Sequence, residues 1–339
     1  DQPYLVAIDY QGNVTNQSKL PSGVTVSSIS YQKANKEVLF YLESYTIPPV
    51  ICRLNRQTFT YEIVERTGVN FNYQDFKYEV RMVKSDSVEI PVFLVYKELK
   101  SNRPTPVLLK AYGGFGVIST PRYDPNTIYF IEQGGIFAYA YVRGGGEKGN
   151  NWWNQGKYIN KSNGVNDLIT VSEYLIDENL TKKKKIAITG ASHGGLLAGS
   201  ALSKRPDLFG AGVFHAGLMD MLRYEHYTVG SKWINEFGST ADSVGFYNLI
   251  SYSPYNQLKP EINYPPSLFV TGQSDDRVPP FHSYKMVARM QNLTSQNNPI
   301  LLWAKRGTGH YGPNNMEDQL MENAYIMGFL DEFILSKDD

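Results

Sequence analysis

The pentapeptide Gly190-Ala191-Ser192-His193-Gly194 stands between a strand-like run, Ile186 to Thr189, and a helical run, Gly194 to Ser203. A serine at a strand-to-helix turn sits in a strained backbone, and a Cβ two residues to either side would collide with the turn. Glycine at both flanks is therefore the mark of a nucleophile raised on the end of a strand. Such a turn belongs to a chain that alternates strands with helices, and the residues around it do alternate.

The expected strands are Val107 to Ala111, Ile136 to Val142, Ile186 to Thr189, Ala211 to Phe214, Ser267 to Thr271 and Ile300 to Ala304. Helices are expected near Asp167 to Asp177, Gly194 to Ser203, His282 to Gln291 and Met316 to Leu335. Ahead of them, Lys77 to Lys84 and Glu89 to Tyr96 read as a hairpin around Ser85-Asp86-Ser87. Two antiparallel strands followed by six alternating ones describe an α/β class chain with an α/β-hydrolase fold: an eight-stranded, mostly parallel sheet with helices on both faces.

Residues 1–75 read differently. Tyr4 to Ile8, a Gly12-Asn13 turn, Val24 to Ser30, Glu37 to Leu42, Val50 to Cys52 and Phe59 to Val64 form an all-β segment at short, regular spacing. This resembles the last blade of a β-propeller and a little more, and a single blade must lean on something else to bury both faces. The division expected is a remnant blade over 1–75 and a hydrolase domain over 76–339. The chain opens Asp1-Gln2-Pro3 without Met, so a piece of a longer product is expected.

Charge narrows the partners. Lys plus Arg and Asp plus Glu are 33 each, so no global field draws nucleic acid or an anionic membrane. The one lysine run, Lys182 to Lys185, leads into a strand and reads as a solvated approach to it. No apolar run nears the roughly 18 to 20 residues of a membrane span. The single cysteine, Cys52, cannot make an intrachain disulfide, which favours a reducing compartment, and the cytoplasm is expected. The sequons at Asn13 and Asn292 are short enough to recur by chance. No cofactor or metal is called for.

A serine hydroxyl attacks only when a positioned base takes its proton and a carboxylate fixes that base. In this fold the three come in the chain order serine, acid, histidine, from loops after successive strands. After Ser267 to Thr271 comes Gly272-Gln273-Ser274-Asp275-Asp276-Arg277, and after Ile300 to Ala304 comes Gly307-Thr308-Gly309-His310-Tyr311-Gly312. Consecutive side chains diverge, so only one of Asp275 and Asp276 can orient the imidazole of His310. The side chains of His193, His215, His226 and His282 read as structural or rim groups.

Longer motifs follow the same order: Tyr112-Gly113-Gly114-Phe115, Arg143-Gly144-Gly145-Gly146-Glu147, Arg205-Pro206-Asp207-Leu208-Phe209-Gly210, Tyr227-Thr228-Val229-Gly230 with Trp233, and Asp275-Asp276-Arg277-Val278. With these, the chain from Pro106 onward resembles the prolyl oligopeptidase family of serine peptidases. The resemblance implies Ser192 as nucleophile, His310 as general base and later acid, and Asp275 as the orienting acid. It implies an oxyanion held by the backbone N–H of His193 and the phenol of Tyr112. Trp233 would stack on a proline ring, Phe115 and Val278 would close the pocket beside Phe237, and Arg277 would hold a substrate carbonyl unless it pairs with Asp276.

Two residues depart from the family pattern: His193 stands where the family usually has Asn, and Phe237 where it has a tyrosine. Length departs further, because family members carry an N-terminal segment and a complete seven-bladed propeller that filters substrates by size. The implied activity is a serine endopeptidase, or its C-terminal part, cleaving proline-containing peptides after proline through an acyl-enzyme, with an N-terminal propeller half as the missing partner. Transpeptidation that closes a peptide into a ring is the sister activity, and a non-catalytic hydrolase-fold binding protein is the remaining alternative. Trp233 speaks against a basic-specific pocket, and no Glu pair suited to an aminodipeptidase is found.

Overall fold

The computed structural model describes residues 3–99 and 104–336. Its strands are β1 (Tyr4–Ile8), β2 (Val14–Lys19), β3 (Val24–Gln32), β4 (Glu37–Ser44), β5 (Val50–Leu54), β6 (Tyr61–Arg66), β7 (Lys77–Ser85), β8 (Val88–Tyr96), β9 (Val107–Ala111), β10 (Ile136–Ala140), β11 (Ile186–Ala191), β12 (Phe209–His215), β13 (Ser267–Gly272) and β14 (Ile300–Lys305). Its α-helices are α1 (Pro125–Glu132), α2 (Asn150–Asn154), α3 (Lys161–Asp177), α4 (His193–Lys204), α5 (Ile234–Phe237), α6 (Ser243–Tyr252), α7 (Pro254–Gln257), α8 (Phe281–Gln291) and α9 (Met316–Leu330).

Eight strands form one sheet in the order β14-β13-β12-β11-β9-β10-β8-β7. Strands β9 to β14 run parallel, and β8 and β7 join antiparallel at one edge. This is the α/β-hydrolase sheet expected from the sequence. Alternate side chains go to opposite faces. Val107 and Leu109 face the layer of α3, α4 and α8, with Leu168, Leu197 and Met286. Leu108, Val213 and Val270 face α1 and α9, with Ile131 and Ile326. Both faces are therefore dry, which is why the central strands read as continuous apolar runs.

The expected helices needed correction at their ends. α3 begins at Lys161, six residues before the expected Asp167. The polar run Lys161-Ser162-Asn163-Gly164 carries no apolar periodicity, and Gly164 is needed there because a Cβ would lie 2.7 Å from the Arg143 carbonyl. α9 stops at Leu330 and a π-turn continues to Leu335. α1 was not expected, although Asp124 caps it by accepting the Asn126 N–H and Pro125 occupies its first turn.

Before this sheet, β3 to β6 form a four-stranded antiparallel sheet and β1 pairs with β2 as a separate hairpin. Leu5, Leu20, Phe40, Leu42 and Cys52 join the two in one small core. Tyr45 leaves that sheet to pack among Phe93, Phe137 and Tyr139 of the large one, with ring centroids 5.1 to 6.4 Å apart. Burying such a ring contributes on the order of 2 kcal/mol, and Glu43 adds a hydrogen bond from the Tyr123 N–H at 3.2 Å. The lysine run is tied down by its neighbours: Lys183 pairs with Asp207, and Lys184 donates to the Pro206 carbonyl. Among the described residues, no helix is long and apolar enough to cross a membrane.

Candidate active site

Ser192 follows β11 and caps α4 with φ +55° and ψ −118°. The turn closes only with glycine around it: a Cβ on Gly190 would lie 2.2 Å from the Gly194 carbonyl oxygen, and one on Gly194 would lie 2.4 Å from that of Ala111. The Ser192 N–H donates to the His215 carbonyl at 2.8 Å, so the neighbouring strand end pins the serine from below. At the start of α4 the first backbone N–H groups have no partner within the helix.

Asp275 and His310 come together from the loops after β13 and β14. Nδ1 of His310 and Oδ2 of Asp275 are 2.7 Å apart. Oδ1 of the same carboxylate accepts the N–H groups of Arg277 at 2.9 Å and Val278 at 2.8 Å. Asp276 is exposed, so of the two adjacent acids only Asp275 meets the imidazole. His310, half-buried Ser192, Tyr112 and Arg277 all line one cavity of about 520 Å³.

Tyr112 directly follows β9, the strand beside β11, and lines the same cavity as the serine turn. Burial pushes its phenol up from the ordinary value, so the hydroxyl keeps its proton and can donate. Beyond Tyr112 lies an aromatic cluster. Half-buried Phe115 meets Trp233 edge to face at 6.0 Å and Phe237 at 5.5 Å. The Arg277 guanidinium stands 5.5 Å from the centre of the Trp233 ring, and no Arg277–Asp276 ion pair forms among the described residues. Phe115, Trp233, Phe237 and Val278 lie outside the lining of the cavity that Ser192 and His310 share, and Phe237 and Val278 are fully buried.

The remaining histidines divide by burial. His282 is buried and its Nδ1 accepts the Asp220 N–H at 3.1 Å; burial, then nearby Lys285, push it down to about 3. His215 is pushed down to about 4 by burial and by Lys110. His193 is fully buried and sits in a network that sequence reasoning missed. Glu236 Oε1 accepts from Lys161 Nζ at 2.5 Å and from the Phe115 N–H at 3.0 Å, and Oε2 accepts from Trp153 Nε1 at 2.8 Å. Lys161 and Glu236 lie 75 residues apart, and no local spacing signals such a pair.

An imidazole held by a carboxylate and a strained serine, lining one cleft with a tyrosine, can transfer an acyl group. A family model described as the prolyl oligopeptidase family matches residues 121–336. The chain is 34% identical over 324 residues to a prolyl endopeptidase of Elizabethkingia meningoseptica, covering 95% of this chain and 46% of that protein. A solved prolyl endopeptidase structure superposes with a TM-score of 0.91 at 31% identity, over 97% of this chain and 49% of that one. Prolyl oligopeptidase B of Galerina marginata, solved with a 35-residue hydrolysis and macrocyclization substrate, superposes with a TM-score of 0.89 at 27% identity, over 98% and 47%. The chain thus spans about half the length of these relatives.

Proposed function

The chain belongs to the prolyl oligopeptidase family, and from that premise we propose that it is a serine endopeptidase that cleaves peptides on the carboxyl side of proline. The observation that carries this reading is the 2.7 Å contact between His310 and Asp275 in a cleft shared with strained Ser192.

In the proposed reaction the Asp275 carboxylate holds the proton on His310 Nδ1, leaving Nε2 to take the Ser192 proton as Oγ attacks the scissile carbonyl. The oxyanion accepts from the His193 N–H and the Tyr112 hydroxyl. His310 then hands its proton to the leaving amine, giving an acyl-enzyme and a free amino terminus, and water repeats the sequence in reverse. Trp233 and Phe115, packed edge to face, offer an aromatic corner to the proline ring, and Arg277 holds a substrate carbonyl.

The four-stranded sheet within residues 1–75 is read as one propeller blade, with the hydrolase domain over 76–339 and further blades supplied by an N-terminal half. In its support, the relatives are about twice as long. Buried, unpaired Cys52 accords with a cytoplasmic location. A second reading, cyclisation by an incoming amine in place of water, is favoured by the likeness to the macrocyclization-substrate complex. One experiment separates these: incubation with proline-containing peptides of graded length, followed by mass spectrometry. Cleavage after proline with gain of one water supports the endopeptidase; a product that has lost the tail and gained no water supports cyclisation; no product from either contradicts both.

A further inference from the structure

His193 enters the proposed mechanism only through its backbone, yet its side chain is fully buried and fully hydrogen-bonded. Nε2 lies 3.1 Å from Lys161 Nζ, and Nδ1 lies 2.6 Å from the carbonyl oxygen of Tyr112. A lysine ammonium only donates, so Nε2 is the acceptor, and the ring proton stays on Nδ1 and is donated to Tyr112. Burial and the adjacent ammonium hold the imidazole well below its ordinary value, so it stays neutral.

The ring cannot swing away. It stacks on Phe237 at 5.6 Å with a 10° interplanar angle, and Phe115 meets it edge-on at 5.7 Å. On the third side, a Cβ on Gly114 would come within 2.5 Å of the imidazole. Lys161 is held in turn by Glu236, whose other bonds reach the Phe115 N–H and the Trp153 indole. The buried charge pair thus grips the loop after β9 at two points, at Phe115 directly and at Tyr112 through His193.

We infer that His193 is a positioning residue: its Nδ1–H, held in one tautomer by the Lys161–Glu236 pair, ties Tyr112 to the start of α4 and so fixes the two oxyanion donors relative to each other. This rests on the acyl-transfer reading above. One donor is the N–H of His193 itself and the other is the phenol of Tyr112, so one side-chain hydrogen bond sets their separation. Such donors act only when aimed at the oxyanion, and loss of one costs about 10² to 10³ in kcat.

Two polar variants separate the imidazole's two bonds. In His193→Asn the amide nitrogen takes the place of Nδ1 and keeps the Tyr112 contact. In His193→Gln the longer amide reaches Lys161 and leaves the Tyr112 carbonyl without its donor. Two readouts are needed: kcat and KM on a post-proline reporter, and the rate at which a fluorophosphonate phosphonylates Ser192, which requires the oxyanion donors but no proline pocket.

The expected result is that His193→Gln lowers kcat and the phosphonylation rate by about 10- to 100-fold with KM nearly unchanged, while His193→Asn, which keeps a donor for the Tyr112 carbonyl, loses at least about fivefold less in both. In a Tyr112→Phe background the His193→Gln loss should shrink to about threefold or less, because the donor being positioned is gone. Equal losses in the two variants, or an undiminished His193→Gln loss in that background, overturn the inference. Should His193→Gln not fold, His193→Met fills the space without hydrogen bonds and takes its place. A parent protein that is phosphonylated but ignores the proline reporter defeats the post-proline reading alone and leaves the inference to be decided on phosphonylation; one that is not phosphonylated overturns both.

Discussion

Asp275 divides its carboxylate between His310, whose Nδ1 lies 2.7 Å from Oδ2, and two backbone N–H groups, those of Arg277 and Val278, which point at Oδ1. The acid is therefore fixed by its own loop before it fixes the imidazole. Asp275→Asn keeps an oxygen for the two N–H groups but can present an amide N–H to Nδ1, which favours the wrong tautomer. A fall in kcat of about 10³ to 10⁴ with an unchanged melting temperature is expected, measured on a peptide reporter. A fall of less than tenfold would contradict the orienting role.

Ser192→Ala removes a hydroxyl from a half-buried position and leaves the backbone of the turn in place. Activity should fall by on the order of 10⁶ while circular dichroism and melting stay those of the parent. Near-parental turnover would show that the nucleophile lies elsewhere.

Specificity should follow from the aromatic cluster. Phe115 and Trp233 meet edge to face with centroids 6.0 Å apart, an aromatic corner suited to a pyrrolidine ring. A reporter with proline before the cut should exceed one with arginine by at least about 100-fold in kcat/KM, a difference of about 3 kcal/mol. Trp233→Ala should erase most of that preference, and equal rates on both reporters in the parent would sink the post-proline reading.

Stability should depend on pH through the buried imidazole of His282 and the half-buried imidazole of His215, which lines the Ser192 cavity. His282 and His215 are pushed down to about 3 and about 4, chiefly by burial, from an ordinary value of 6.5. Between those values and 6.5 the unfolded chain binds protons that the folded chain does not, so stability is full above about pH 6.5 and is lost as pH falls. Each imidazole then costs about 2 kcal/mol at pH 5. Denaturation from pH 7 to 5 should show this loss. His282→Asn, which can still accept the Asp220 N–H, should lower the slope by one proton. A stability that stays flat from pH 7 to 5 would contradict the neutral state of both rings.

The sheet was legible because its strands are short apolar runs of the right length, and the serine turn because glycine at 190 and 194 has one steric reason to be there. Asp275 and His310 were legible from their places after successive strands. What was not legible was what lies behind the site. Nothing in the local sequence singles out Lys161 or Glu236, and the His193 ring reads as a structural or rim group, until the fold buries all three together. Phe237 and Val278 have the apolar character of a pocket, but only burial tells a wall from the layer behind it. The start of α3 escaped because its small polar residues and glycine pack for steric reasons that no periodicity carries.

The central claim, that Ser192 is activated by the His310–Asp275 pair, is tested most directly by mapping the site of fluorophosphonate attachment by peptide mass spectrometry. The account predicts a single adduct on Ser192, absent in Ser192→Ala and slowed by at least about 10³ in His310→Ala. No adduct on the folded protein, an adduct on another residue, or labelling of Ser192 at the parental rate in His310→Ala would contradict it.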